Sequence, residues 1–153
     1  MKYACKRVIL ALGALLLFSS PVWAEEEWDF AGLIGMSPAE AVEKLGPPSE
    51  IYPVRGQRED QDEVVLYYPG KLYLFFINQR VWQLRMDDNS ELGWKSVKTG
   101  ASRSEVEAVF GEPYFSTSDW EVFLIPGGRW PLRLRVFYRN NGATDFYLYR
   151  GDL

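Results

Sequence analysis

The chain has 153 residues, a formal net charge of −4 at neutral pH, one cysteine and no histidine. This length is enough for one domain with a hydrophobic core, and the lack of histidine excludes Ser-His and Cys-His catalysis and His-ligated metal sites. The net negative charge argues against a role in binding nucleic acids, because proteins of that class present a basic surface.

Residues 1–24 are predicted to be a secretory signal peptide, because three basic residues precede the apolar run 8–18. That run is shorter than the roughly 20 residues that a membrane-spanning helix needs. The single cysteine, Cys5, lies before the apolar run rather than at its end, so no lipid anchor is predicted. We therefore expect a periplasmic or secreted protein that is cleaved after Ala24 and has no membrane span. Its 14 basic and 21 acidic side chains then give a formal charge of −7, and it has no thiol.

Two similar stretches, 35–48 and 100–113, are each predicted to contain a short helix. In both, a serine (Ser37 or Ser102) is followed three residues later by a glutamate, which is the signature of a capping box. A glycine and then a proline follow the last apolar position and indicate the end of the helix. Each helix is expected to have about nine residues and one buried face.

Three antiparallel strands are predicted after each helix, separated by turn signals such as Pro69-Gly70 and Asn141-Gly142. A further strand is expected at 50–54, where Pro53 is tolerated only at a sheet edge. The predicted meander strands are 64–68, 72–77, 81–86, 120–125, 132–138 and 144–150.

The predicted fold class is α+β, with two tandem repeats of a helix plus an antiparallel β-meander that together form one sheet with the helices packed on one face. After the signal peptide, the predicted repeats are 25–92 and 93–153. A unit of about 60 residues is marginal alone because it buries too little surface, so the two repeats are expected to share one core.

When the two predicted repeats are aligned so that Leu72 corresponds to Leu132, the alternation of side chains along each strand assigns them to the two faces of the sheet. The face toward the helices is predicted to carry Leu72, Leu74, Phe76, Trp82, Leu84, Leu132, Leu134, Val136, Phe146 and Leu148. The opposite face is predicted to carry Gln83 and eight aromatic or arginine side chains, namely Tyr73, Phe75, Arg85, Arg133, Arg135, Phe137, Tyr147 and Tyr149. Because Tyr, Phe and Arg are enriched at protein interfaces, these eight are the candidate partner-binding residues.

The helix pattern G-x-S-x-x-E followed by the meander Y-Y-P-G-K-L-Y-L-F-F resembles the BamE (SmpA/OmlA) family of outer-membrane assembly proteins. Its doubling resembles the tandem-repeat architecture of β-lactamase inhibitor protein (BLIP)-like inhibitors. The residues that carry the resemblance are Gly35, Ser37, Glu40, Leu45, Gly46, Pro48, Tyr68, Phe76, Arg80, Val81, Gly100, Ser102, Glu105, Val106, Phe110, Gly111, Pro113 and Trp120. The resemblance implies a sheet with helices on one side and a free face that grips proteins. The chain departs from both groups because it has neither a lipobox cysteine nor cysteines for disulfides.

The leading functional hypothesis is a non-catalytic, exported protein-binding module of the cell envelope that uses the aromatic and arginine face. Another protein is the expected partner, and no cofactor or metal is predicted. Alternatively, the aromatic side chains could be covered by the loop 55–62, by Trp94 or by a second copy of the chain. A third hypothesis is a periplasmic accessory or scaffold in outer-membrane assembly, with the edge strand near 51–54 open to strand addition.

The competing enzyme class is a carboxylate-based glycan hydrolase, which would need no histidine. Its candidate acids are Asp87, Asp88 and Glu91, with Trp94 or Trp130 as a sugar platform. Acids in turns are usually solvated, and no sequence feature predicts an apolar pocket that would separate their pKa values. The same acidic loop lacks the spacing of a calcium-binding loop. The sequence therefore predicts no catalytic residue.

Overall fold

The computed structural model describes residues 28–56, 63–88 and 90–153. The predicted signal peptide and residues 57–62 of the polar loop lie outside the described residues. The helices are α1 (Phe30–Leu33), α2 (Pro38–Leu45) and α3 (Arg103–Phe110). The strands are β1 (Glu50–Val54), β2 (Glu63–Tyr68), β3 (Leu72–Ile77), β4 (Arg80–Met86), β5 (Phe115–Ser116), β6 (Trp120–Ile125), β7 (Leu132–Arg139) and β8 (Gly142–Arg150). The architecture is α+β and is dominated by one antiparallel sheet.

The eight strands are hydrogen-bonded in the order β1-β2-β3-β4-β8-β7-β6-β5. The predicted strand at 50–54 is confirmed as β1, and Pro53 lies in an edge strand, where its missing N–H interrupts no outer ladder. The two central strands, β4 and β8, pair from Gln83 with Tyr149 to Met86 with Phe146. This central pairing joins residues far apart in the sequence into one continuous sheet.

Both predicted capping boxes are present. At α2 the Glu40 amide donates to Ser37 Oγ over 3.3 Å, and the Ser37 amide donates to Glu40 Oε2 over 2.7 Å. The corresponding distances between Ser102 and Glu105 at α3 are 3.4 and 2.8 Å. These bonds lower the pKa of Glu40 and of Glu105 below the ordinary value, because they stabilise the ionised carboxylate. Each helix has eight residues and ends at a glycine.

The loop before each of these helices is bonded to the last strand of its own half. The Gly35 amide donates to the Val81 carbonyl over 2.8 Å, and the Val81 amide donates to the Met36 carbonyl over 2.9 Å. The Gly100 amide donates to the Ala143 carbonyl over 2.7 Å, and the Ala143 amide returns a bond of 2.8 Å to the next residue of the loop, Ala101. The starts of α2 and α3 are therefore fixed against the two central strands.

One hydrophobic cluster contains the buried side chains of the helices and of the sheet face beneath them. The helices contribute Phe30 and Leu33 from α1, Ala41 from α2 and Val106 from α3. Nine of the ten side chains predicted to face the helices are buried, and Trp82 is the exception. The helices therefore pack on one face of the sheet and leave the other face free of them.

The prediction for Trp82 is wrong because a β-bulge interrupts the alternation of β4. Phe75 pairs with Gln83, but Phe76 pairs with Val81, so Trp82 is the extra residue. Val81 is fully buried in the core position instead, and Trp82 lines a groove with Gln83 on the opposite face. A second register shift between β7 and β8 leaves Thr144 as the extra residue in the same way.

The hairpin turn between β7 and β8 lies one residue earlier than predicted. Asn140 and Asn141 have positive φ angles of 51 and 63°, whereas Gly142 is already paired with Arg139 as the first residue of β8. A two-residue loop with two positive φ angles matches the right-handed twist of its strands, and asparagine tolerates that conformation.

Candidate functional site

The eight candidate residues all lie on the sheet face opposite the helices, which is called the open face below. Tyr73 pairs with Arg85, Arg85 with Tyr147 and Tyr147 with Arg135, so these four side chains form one row across β3, β4, β8 and β7. The other four, Phe75, Arg133, Phe137 and Tyr149, occupy positions of the same parity. Each of the eight is half-buried.

Arginine and aromatic side chains are stacked along the open face. The guanidinium carbon of Arg85 lies 5.5 Å from the ring centres of both Tyr73 and Tyr147. That of Arg135 lies 4.9 Å from the ring of Trp120 and 5.6 Å from the ring of Tyr149. The closeness of the rings to each guanidinium reduces its contact with water and attracts its positive charge. It explains how a face rich in arginine is half-buried with no helix over it.

Hydrogen bonds fix the β3–β4 side of the open face. The Tyr73 hydroxyl donates to Asp87 Oδ2 over 3.1 Å, and Arg85 Nε donates to Asp145 Oδ1 over 3.0 Å. Burial, assisted by the bond to Asp87, raises the pKa of Tyr73 to about 12. Burial also raises the pKa of Tyr147. These tyrosines are therefore neutral at physiological pH, and Asp87, one of the candidate hydrolase acids, is bound to Tyr73.

Among the described residues, two concave regions open on this face, one over β4, β8 and β7 and one over β5 to β8. The larger, about 410 Å³, is lined by Trp82, Gln83, Arg135, Phe137, Tyr147, Tyr149 and Leu153. The smaller, about 200 Å³, is lined by Tyr114, Phe115, Trp120, Val122, Arg133, Arg135 and Tyr149. Arg135 and Tyr149 form the wall that the two regions share.

Sequence reasoning missed several residues of the open face. Trp120 is predicted to begin a strand, and its alternation with Val122 could have placed it there. Tyr114 and Phe115 are 66 and 50 % exposed; Tyr114 precedes the two-residue strand β5 and Phe115 begins it, and so short a strand gives no periodic signal. Trp82 could not have been found, because its place depends on the bulge.

Neither tryptophan named as a sugar platform is available for that purpose. Trp94 is only 5 % exposed and packs in the core, with its ring centre 6.3 Å from that of Phe30 and 5.3 Å from that of Phe110. It therefore lies on the helix side and does not cover the open face. Trp130 is covered by Arg150, whose guanidinium carbon lies 3.8 Å from the ring centre.

A separate buried cluster surrounds Glu121 on the helix side of the sheet. Its side chain accepts from Arg103 over 2.6 Å, from the Tyr138 hydroxyl over 2.7 Å and from Ser116 Oγ over 3.2 Å. Burial and the bond to Glu121 raise the pKa of Tyr138. Because Arg103 begins α3 and Tyr138 belongs to β7, the cluster joins this helix to the sheet.

Within the described ranges, no group of three or more histidine, cysteine, aspartate or glutamate side chains is placed to hold a metal ion. None of the helices in the described part of the chain is long and apolar enough to cross a membrane.

No protein-family model and no curated protein matches the chain. Solved structures that are similar in fold include the following two. A cysteine-rich secretory protein from Staphylococcus aureus subsp. aureus Mu50 gives a TM-score of 0.53 at 11 % identity, with 79 % of this chain and 44 % of that chain covered. An extracellular protein containing a SCP domain from Bacillus anthracis str. Ames gives 0.57 at 9 % identity, with 88 and 49 % covered. The chain thus spans less than half of each neighbour, and identities this low show the fold alone.

Proposed function

We propose that this protein is a non-catalytic, exported module of the cell envelope that binds another protein through the open face. One observation carries the proposal, namely the stacked, half-buried row of tyrosine, tryptophan and arginine side chains opposite the helices. These residue types dominate the energetics of protein interfaces, because each offers a large contact area together with polar groups.

The geometry supports binding because the row is held in place before any partner arrives. Arg85 is fixed by Asp145 and by two tyrosine rings, and Tyr73 is fixed by Asp87. A surface that is already ordered loses less side-chain entropy on association, which favours affinity. The two concave regions beside the row give a partner side chain places to insert.

We also propose that 25–92 and 93–153 are tandem repeats of the kind that the BamE-like and BLIP-like resemblance implies. Three features support this. Both helices have the same capping box, both preceding loops bond to the last strand of their half, and both last hairpins carry a bulge. In addition, the strand order is the same when read from either edge toward the β4–β8 pair.

Export remains part of the proposal, with a signal peptide cleaved after Ala24, no lipid anchor and a periplasmic or secreted location. The two structural neighbours are described as secretory and extracellular, which supports it. Their low identity supplies no partner or activity for this chain.

The first prediction concerns a photoreactive residue placed at Tyr147 of the full chain and crosslinked in intact cells of the source organism. We expect a discrete adduct with a different protein, identified by mass spectrometry, because Tyr147 lies at the centre of the open face. The matched control is Glu43, an exposed residue of α2 on the helix side, where no such adduct should form. Self-adducts alone, or no adduct at Tyr147, would contradict the proposal.

The alternative, a periplasmic accessory or scaffold in outer-membrane assembly, is supported by the apolar character of edge strand β1. Ile51, Tyr52 and Val54 are 63, 40 and 42 % exposed in this strand, and an exposed edge can accept another strand. Pro53 limits the length of such pairing. A photoreactive residue at Ile51 that captures an envelope protein, while one at Tyr147 captures none, would favour this alternative.

A further inference from the structure

The arginines of the open face differ in how their charge is satisfied. Arg85 is bonded to Asp145, whereas neither Arg133 nor Arg135 contacts a carboxylate in the part of the chain that the structure describes. The Nε of Arg135 is buried and has no hydrogen-bond partner. A buried donor without an acceptor is costly, so the described chain does not satisfy the hydrogen-bonding capacity of Arg135.

The two arginines are arranged as a pair. They are separated by one residue in β7, so they share a face and their Cα atoms are about 7 Å apart. The guanidinium carbon of Arg135 lies 4.9 Å from the ring centre of Trp120 and 5.6 Å from that of Tyr149. Both arginines line the adjoining pocket of about 200 Å³, and their terminal guanidinium N–H groups, rather than the buried Nε of Arg135, are the donors that a ligand there can contact.

We propose that this pocket, called the arginine pocket, binds carboxylate side chains of an acidic peptide segment in the partner protein. The inference rests on the proposed function and names the chemistry of the partner. Carboxylates match the planar fork of a guanidinium with two parallel hydrogen bonds, and two arginines can hold one or two carboxylates. Tyr114 and Phe115, which are largely exposed, give the pocket an apolar rim for an apolar residue beside the acid.

The charge distribution favours a short acidic segment over a long polyanion. A nucleic acid is bound through a series of phosphate contacts along a basic surface. Here the chain as a whole is acidic, with a formal charge of −4, and the pocket supplies two cations. Acidic side chains elsewhere on the surface would repel a long polyanion, whereas one or two carboxylates match the two arginines.

The second prediction uses a random peptide library displayed on phage, selected in parallel against the full wild-type chain, the R133Q/R135Q double variant and R139Q. Arg139 is an exposed arginine of the same strand outside the arginine pocket, so R139Q is the matched control. We expect the wild-type and R139Q pools to be enriched in Asp and Glu relative to the unselected library. The double-variant pool should lose this enrichment.

The consensus peptide of the wild-type pool is then synthesised in two forms, with its acids intact and with each acid replaced by the corresponding amide. By fluorescence anisotropy, the acidic form should bind the wild type at least about tenfold more tightly than it binds the double variant. The amide form should bind the wild type as weakly as the acidic form binds the double variant. The comparison of the two peptides on wild-type protein stands even if the double variant does not fold.

Pools of equal acid content, or equal binding of the acidic and amide peptides, would overturn the inference. Tighter binding of a single-stranded DNA oligonucleotide of the same charge than of the acidic peptide would also overturn it. Failure of the proposed function is distinguishable from this outcome. If the R133Q/R135Q variant keeps the full yield of the Tyr147 adduct, the open face binds a partner but the arginine pocket does not recognise its acids. If the wild type gives no adduct, the proposed function itself fails.

Discussion

At the scale of single residues, the charged groups of Glu121 and Arg135 differ in whether they have partners. Glu121 is only 2 % exposed and has three hydrogen-bond donors around its carboxylate. Arg135 is half-buried and has a buried Nε without an acceptor. A buried charge with its partners in place holds elements together, whereas a half-buried guanidinium that lines a pocket and contacts no carboxylate of the described chain can bind a ligand. The first group is therefore assigned to stability and the second to binding.

The third prediction concerns Glu121→Ala, which leaves Arg103 and Tyr138 without their shared acceptor. We expect the free energy of unfolding to fall by about 3–5 kcal/mol, the usual cost of removing one partner of a buried ion pair. Glu121→Gln keeps an acceptor for Tyr138 and should cost less. Chemical denaturation followed by circular dichroism measures both. Glu112→Ala, a change at an exposed site, is the control and should stay within about 0.5 kcal/mol of the wild type. An equal loss for the alanine variants of Glu121 and Glu112 would contradict the structural role.

At the scale of elements, the capping boxes show how a local pattern determines a helix. The serine and glutamate of each box are three residues apart and satisfy backbone N–H groups that have no partner within the helix. No distant residue is needed for this, so the starts of α2 and α3 could be predicted from sequence alone.

The fourth prediction concerns Ser37→Ala and Ser102→Ala, each of which removes an N-cap acceptor. Each should lower the free energy of unfolding by about 1 kcal/mol at neutral pH. The pKa of Glu40 and of Glu105 is lower in the folded protein than the ordinary value of 4.5 that applies to the unfolded chain. The ionised carboxylates therefore contribute to the stability of the fold above pH 4.5, and this contribution is lost as the pH falls through the folded-state pKa. The difference between wild type and each variant should therefore shrink on acidification. Denaturation at a series of pH values measures it, and a difference that does not change with pH would contradict the capping contribution of these carboxylates.

The β-bulges show which side-chain orientations cannot be predicted from local sequence patterns. Asn78 and Gln79 have positive φ angles, as Asn140 and Asn141 do, so the two turns are equivalent. When the two halves are aligned on these turns and on their strand pairing, Leu72 corresponds to Leu134 rather than to Leu132. That alignment error of two residues preserves parity, so all eight candidate residues were still assigned to the correct face. The extra residue of a bulge changes parity, and for that reason Trp82 alone was assigned to the wrong face.

At the scale of the whole molecule, the two halves share one core. Leu84 of β4 and Leu148 of β8 are fully buried and lie opposite each other at the central pairing. On the helix side, Trp130 packs so closely on Gly35 that a Cβ atom there would lie 2.7 Å from the indole nitrogen. Contacts between the halves therefore occur both within the sheet and between the sheet and the loop before α2.

The fifth prediction is that Leu84→Ala and Leu148→Ala destabilise both halves together. Each should lower the free energy of unfolding by about 2–5 kcal/mol, because each leaves a cavity in the shared core. Amide hydrogen exchange in the most protected amides of β2 and of β7 should accelerate in parallel in either variant. Leu124→Ala is the control, since Leu124 is 53 % exposed. Faster exchange confined to the half that carries the substitution would show that the halves unfold independently.

The sequence by itself determined α2 and α3 with their caps, every strand of the described chain except β5 and, apart from Trp82, the division of side chains between the two faces. These depend on interactions within a few residues and on the period of the strand, which can be read along the chain. The tertiary structure alone decided the pairing of β4 with β8, the parity change at Trp82 and the ion pair of Arg85 with Asp145. It also left Arg133 and Arg135 without such a pair in the described chain. The physical reason is that the strand register joins residues as far apart as Gln83 and Tyr149, and charge pairing joins Arg85 with Asp145. No local pattern records which of several equivalent side chains will meet.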